Sequence, residues 1–415
     1  LGTFLRYLVY LKYNTTLSNR IEVSTPLNSF KRVQEGIYLY KNDIDPYSGD
    51  MFHESPLILW VLTWITGNLP KMMPLLYILL DVLTAAILQK MTSLCLQQQY
   101  SRQKSEEKTY PKDTKDLVLQ EQDISCFSDY VLLAYLFNPF TVASSAALTS
   151  TVFSNLLLSL YLYFLVRRNI PLCLLCLSLE TLRSMYPFVL IAPAILIFSK
   201  GNKTRAVGIV AIFAGLCVAL SWICSIVIGG FQFLDNTLGF IFFYRDLQPN
   251  VGLFWYFFTE MFDHFRTMFL ITFQMNATVL YLIPLSIKLR KEPLILASIL
   301  TGLMAVFRSY PCVGDVGFYI SLLPLWKKCW KFMAHNFVVF CFFLITIAVM
   351  PALWHLWIYS GSANANFYFG VTLAFSTGQI FLVTDLLFAY VKREFCLKNG
   401  QKFFIEGKEA RIILE

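Results

Sequence analysis

Two carboxamides, Asn364 and Asn366, stand in the stretch WHLWIYSGSANANFYFG (residues 354–370), between two runs that read as membrane helix. An amide in hydrocarbon is costly unless its donors and acceptors are met. Such a pair can bind sugar hydroxyls or a phosphate, or it can cap a helix and glue it to a neighbour. A second set of candidates is the carboxylates of the first polar loop: Glu22, Glu35, Asp43, Asp45, Asp50 and Glu54. A carboxylate there can act as general base or hold a divalent cation, and a solvated loop face is the plain alternative. Glu260, Asp263 and His264 allow an acid–base or metal cluster, or simply a hydrated helix end. Cys312 and His355 would make a thiol with a base, but nothing in the local sequence pairs them. Cys173 and Cys176 lie inside the apolar run IPLCLLCLSL and read as small helix-packing side chains. The ten cysteines are scattered singly and form no disulfide framework. No metal or other cofactor is expected.

The elements that must position these residues follow from composition. The chain is 57% hydrophobic and 14% charged, with a mean hydropathy of +0.58. A soluble domain carries about 25% charged residues. Lipid must therefore serve as solvent, and the apolar runs are continuous rather than alternating, so the spans are helices. The expected fold is an all-α polytopic membrane protein, a single membrane domain over residues 1–415. The opening LGTFLRYLVYL is too short to span and reads as the end of a truncated first helix. With it, spans near 70–95, 131–148, 150–166, 170–183, 185–199, 206–230, 265–287, 293–308, 312–326, 334–352 and 367–391 make about twelve. These spans look nearly free of charge at mid-depth, which argues against a transporter.

Basic clusters fix the orientation. Arg167-Arg168, Lys200/Lys203/Arg205, Lys288/Arg290/Lys291, Lys327/Lys328/Lys331 and Lys392/Arg393 all fall on the cytoplasmic side if the N-terminus does. Segment 97–129 then reads as a mobile cytoplasmic linker, and the polar substance of the other face lies in 12–69, 231–262 and 353–366. Lys203, Arg205 and Arg290, at cytoplasmic span ends, serve topology and can also hold the phosphate of an anionic phospholipid. No nucleic-acid partner is expected. In the first loop PLNSFKRVQEG reads as a helix stopped by Gly36, and DPYSGD as a turn. Arg308 and Asp315 read as an intramembrane ion pair. Trp354, His355, Trp357 and Tyr359 read mostly as an interfacial belt. The row Phe254 to Phe258 cannot all face one way on a helix. Asn14, Asn202 and Asn276 fit the glycosylation pattern, but the first is too near the membrane, the second cytoplasmic and the third inside a span.

The first loop resembles that of the dolichol-phosphate-mannose-dependent mannosyltransferases of the GT-C superfamily. It has an acid near its start, an EG pair, then PYSG and FHESPL. In those enzymes the loop carries a catalytic acid, which corresponds to Glu22. The usual paired acids are absent, since Ile21 and Val23 flank it. Longer motifs are more specific. LQPNVGLFWYFFTEMFDHF, FRSYPCVGDVGFYISLLPLW and WHLWIYSGSANANFYFGVTLAFSTGQI, with STPLNSFKRVQEG and DPYSGDMFHESPL, closely resemble the phosphatidylinositol-glycan class U family, subunits of the endoplasmic-reticulum GPI transamidase. The resemblance runs the whole chain, apart from a missing stretch at the N-terminus and a variable 97–129 linker. The resemblance implies a multi-pass endoplasmic-reticulum protein with a GT-C-like fold and a large first lumenal loop. It implies a non-catalytic subunit that helps bind and present the GPI lipid, with Asn364 and Asn366 in contact with GPI. Its implied partners are the other transamidase subunits, among them the cysteine-protease subunit that does the chemistry, together with GPI and phospholipids. The alternative is an active mannosyltransferase of GPI synthesis using Glu22.

Overall fold

The computed structural model describes residues 1–401 and the backbone of 403–405 and 408–410. Nineteen α-helices run in order among them, joined in places by short 3-10 and π turns: α1 Gly2–Ser18, α2 Phe30–Lys41, α3 Pro56–Asn68, α4 Met73–Glu106, α5 Glu121–Leu136, α6 Pro139–Ala146, α7 Thr151–Val166, α8 Ile170–Ser184, α9 Ile191–Ser199, α10 Lys203–Ile228, α11 Gln232–Leu234, α12 Phe240–Phe243, α13 Phe254–Thr259, α14 Asp263–Met275, α15 Leu282–Lys288, α16 Pro293–Phe307, α17 Val313–Ser321, α18 Asn336–Ile358 and α19 Ala365–Asn399. An antiparallel pair, β1 Phe403–Ile405 and β2 Lys408–Ala410, follows. Asparagine side chains start several helices by taking a first-turn N–H: Asn138 for α6, Asn169 for α8, Asn202 for α10 and Asn364 for α19.

Five stretches are long and apolar enough to cross a membrane: Pro70–Thr109, Lys203–Ile228, Asp263–Lys288, Asn336–Ile358 and Ala365–Asn399. A sixth is possible if α5 and α6, bent by 45°, count as one. Length alone thus falls short of the expected twelve. A helix such as α7, with 16 residues, reaches about 24 Å, less than the roughly 30 Å hydrocarbon core. The chain is a multi-pass membrane protein with outer helices α10 and α18 mostly exposed and α7, α16 and α17 enclosed.

Charge does enter the spans, contrary to the sequence reading. Arg6 Nε lies 2.7 Å from Asp81 Oδ2 with both side chains fully buried. Tyr135 donates to Asp81 at 2.8 Å. The α5–α6 bend is part of the same knot. Pro139 has no N–H to give to the Tyr135 carbonyl, and Thr141 Oγ1 donates to it instead at 2.7 Å. Arg6 takes the next carbonyl, Leu136, at 2.6 Å. Elsewhere Glu180 accepts from Ser154 at 2.5 Å and faces Arg183 Nε at 3.5 Å, while Arg183 reaches Glu54 of the first loop at 3.7 Å. Asp385 in α19 accepts the N–H groups of Ala334 and His335, bracing the start of α18.

Two expected features of the chain come out differently. Gly36 does not end a helix: α2 runs on to Lys41. A Cβ at Gly36 would lie 2.5 Å from the Phe52 ring, so the glycine is needed for close approach. Segment 97–129 is not a free linker. It finishes α4, buries Leu117 and Leu119, and begins α5. Gln103 accepts from Leu119 N at 2.9 Å, and Arg393 donates to Leu117 O at 2.8 Å.

Candidate functional site

The segments 12–69, 231–262 and 353–366 converge. Arg32 of α2 pairs with Asp246 at 2.9 Å. Asn236 donates to Tyr47 O at 2.6 Å. His53 lies flat on Phe240, ring centres 3.5 Å apart, with its nitrogens against Asn236 O and Asp50 O. Burial pushes its pKa down to about 4 in spite of those two carbonyl acceptors, so at neutral pH the ring has one N–H and donates to only one of them. Phe240 stacks in turn on Tyr310, whose hydroxyl bonds the backbone of Asp246. The first loop is therefore clamped onto the 231–262 segment by rings and backbone bonds.

The turn between α18 and α19 meets this platform. Ser360 Oγ and Ser362 N both cap the Leu356 carbonyl at 3.0 Å, and Gly361 takes a left-handed φ of +62°. Asn364 Oδ1 caps α19 by accepting Asn366 N at 3.2 Å. Asn366 Oδ1 accepts the Tyr256 hydroxyl. Both asparagines are exposed, and neither Nδ2 group has a hydrogen bond among the described residues. The oxygens are used to build the turn, and four N–H bonds are left to donate outward at the positive end of a 35-residue helix.

Beside them stands an aromatic wall. Trp255 is buried against Trp357, Tyr368 and Phe369, at ring-centre distances of 6.1, 6.2 and 5.9 Å. Tyr256 stacks on Phe369 at 4.5 Å, and Trp354 meets Tyr368 edge-on at 5.3 Å. The Trp255 indole N–H is buried with no partner among the described residues. Trp354 and Trp357 thus turn inward, whereas His355 and Tyr359 are exposed as a belt requires. In the aromatic row Phe254, Trp255 and Phe258 are buried and Tyr256 and Phe257 reach outward, the split that helical spacing imposes.

Glu22 is at the back of this wall. It is buried, its backbone carbonyl accepts Val313 N at 2.9 Å, and Tyr368 donates to its carboxylate at 3.2 Å. The expected Arg308–Asp315 pair is present at 2.5 Å, and Arg308 also donates to Ser184. Cys312 is buried against Thr151 and Asp315, and His355 is exposed, so the two do not form a catalytic pair. Glu260, Asp263 and His264 are exposed, and among the described residues no three His, Cys, Asp or Glu side chains group as a cation site. Asn14 is spoken for, donating to Ala146 O at 2.7 Å. Lys203, Arg205 and Arg290 are exposed and make no ion pair among the described residues; α9 packs against α10, which carries the first two, and against α15 and α16, whose connecting turn holds Arg290. Sequence reasoning missed Tyr256 as the partner of Asn366, Tyr368 as the partner of Glu22, and Trp255 as the ring buried between them and Trp357. The aromatic row was visible, but not which of its faces would meet α19.

Comparison with known proteins covers most of the chain. A family model described as GPI transamidase subunit PIG-U matches residues 1–375. The chain is 34% identical over 413 residues to the GPI-anchor transamidase component PIGU of Homo sapiens, covering 96% of this chain and 94% of that protein. It is 28% identical over 380 residues to the GPI transamidase component GAB1 of Saccharomyces cerevisiae, covering 91% of this chain and 89% of that one. The GAB1 homolog of Schizosaccharomyces pombe is 31% identical over 400 residues, covering 95% and 92%.

Proposed function

The chain belongs to the PIG-U family of GPI transamidase subunits, and from that premise we propose that it is a non-catalytic subunit that binds and presents the GPI lipid for attachment to precursor proteins. It works in the endoplasmic-reticulum membrane with the other subunits, and a separate cysteine-protease subunit performs the transamidation. The face that gathers 12–69, 231–262 and 353–366 is lumenal. About twelve passes in a GT-C-like arrangement carry it, with the shorter helices crossing where the fold thins or bends the path.

The observation that carries the reading is the pair of outward, unengaged Nδ2 groups of Asn364 and Asn366 beside the Trp255–Tyr256–Trp357 wall. A GPI headgroup offers sugar hydroxyls and phosphates as acceptors. The two amides and the positive end of α19 suit them, and the aromatic faces suit the apolar faces of sugar rings. Glu22 supports the same reading. Its carboxylate is buried and occupied by Tyr368, so it serves to fix the wall rather than to activate an acceptor. On the opposite face Lys203, Arg205 and Arg290 hold anionic phospholipid.

The test is rescue of surface GPI-anchored protein in cells lacking the endogenous subunit. Asn364→Asp/Asn366→Asp keeps the two oxygens that build the turn and removes the four N–H donors, so it should assemble normally yet bind GPI at least roughly tenfold more weakly, since each hydrogen bond contributes about 0.5–1.5 kcal/mol. Glu22→Gln keeps the acceptor for Tyr368, removes the charge, and should rescue fully. If Glu22→Gln fails and GPI precursors lacking mannose accumulate, the chain is a transferase and this reading is wrong.

A further inference from the structure

Four polar side chains stand in the middle of the Asp263–Lys288 stretch, and three of them are satisfied within the chain. Thr272 donates to Met268 O at 3.0 Å and Thr278 to Gln274 O at 2.6 Å. Gln274 donates to Ile241 O, Phe242 O and Ser309 Oγ and accepts from Tyr186. Asn276 is different. It is half-buried, and its carboxamide makes no hydrogen bond among the described residues. It stands at the midpoint of a stretch able to cross the membrane, where no bulk water can serve it. An amide left unpaired there carries its full desolvation penalty.

Asn276 also lines the wall of a groove of about 770 Å³. Met275, Val279, Leu280 and Ile283 form one side, and Phe254 and Phe307 the other. Leu280 and Ile283 are 62% and 60% exposed. The helix widens into a π-turn at Asn276–Leu280. The cause is one turn further on: Pro284 has no N–H for the Leu280 carbonyl, so the regular ladder cannot continue.

The chemistry of the wall selects the occupant. An acyl chain would satisfy the leucine and isoleucine side chains but leave the amide unpaired. A helix presenting Ser, Thr, Asn or Gln at the same depth satisfies both. We propose that this groove is the docking site for a transmembrane helix of another polypeptide in the assembly, hydrogen-bonded to Asn276 through a hydroxyl or amide. The proposal rests on membership in a family of complex subunits and is independent of the GPI-binding reading.

The experiment places a photo-cross-linking residue at position 279 of the full chain, purified in its membrane complex. The expected product is a cross-link to a peptide from a membrane-spanning segment, with a hydroxyl or amide side chain within one turn of the attachment point. Its yield should fall about three- to twentyfold in Asn276→Leu and be kept in Asn276→Gln, the range measured for interhelical hydrogen bonds. Leucine is at home in this environment, and gel filtration checks that the variant still folds. Leu280→Trp fills the groove and should suppress the same product. Adducts with phospholipid or detergent alone would overturn the proposal. So would a peptide product whose yield Asn276→Leu and Leu280→Trp both leave unchanged.

Discussion

His53 gives up its charge to hold the first loop in place. Its ring is clamped between Phe240 and two backbone carbonyls, and a proton there would have to be carried in a buried, stacked position. The folded pKa is near 4, below the roughly 6.5 of an unfolded histidine. Between those values the unfolded chain binds more protons than the folded one. The stability from the neutral ring is therefore complete above about pH 6.5, falls as pH drops through the window, and levels off below about 4. The expected loss between pH 7.5 and pH 5 is roughly 2 kcal/mol. Thermal unfolding of the detergent-solubilised chain at the two values measures it. His53→Phe keeps the stack on Phe240 and loses the titration, so its pH dependence should be flatter by that amount. Parallel curves for the two proteins would show that His53 is not the titrating group.

Helix α2 shows where a local signal and a tertiary one compete. In isolation a glycine in mid-helix costs up to about 1 kcal/mol against alanine, so Gly36→Ala should help. The Phe52 ring decides otherwise: the new methyl would meet it at 2.5 Å, and overpacking typically costs about 1–3 kcal/mol. Gly36→Ala should therefore lower the melting temperature and open residues 42–55 to protease, while Gly49→Ala, with open space around it, should do neither. The same competition explains what was legible in the sequence. The apolar runs placed α7, α8, α10 and α16 to within a few residues, because periodicity and length are local; α19 runs eight residues past its expected end at 391. Gly36 was misread because a close approach and a helix stop use the same residue. The 97–129 segment was misread because its polar surface hides Leu117 and Leu119, which are buried only once α4, α5 and α19 are assembled. Asp81 and Arg6 stood in plain view, yet nothing local says that an acid and a base 75 positions apart will meet.

Across the whole molecule, the two unengaged amides and the three unpaired cations stand apart. Asn364 and Asn366 lie with the converged loops, and their exposure was foreseeable from the polar turn that holds them; the tyrosine that grips Asn366 was not. Lys203 and Arg205 open α10 and Arg290 lies in the turn between α15 and α16, all three helices packing on α9. A lysine and an arginine in the first turn of α10 oppose the helix dipole, and no acid of the described chain compensates them. The anionic lipid proposed above would resolve that conflict. Each cation near a membrane surface contributes about 1 kcal/mol toward anionic lipid, so replacing all three by glutamine should weaken retention roughly fivefold per charge. The measure is the phosphatidylserine and phosphatidylinositol that co-purify with the chain in non-ionic detergent. Raising the salt should mimic the substitution in the parent protein and have little further effect on the variant. Lys31→Gln/Lys71→Gln, at the far face, removes charge without touching this end and should leave the lipid in place. Equal losses from both sets would mean that net charge alone attracts the lipid, and the three residues would form no site.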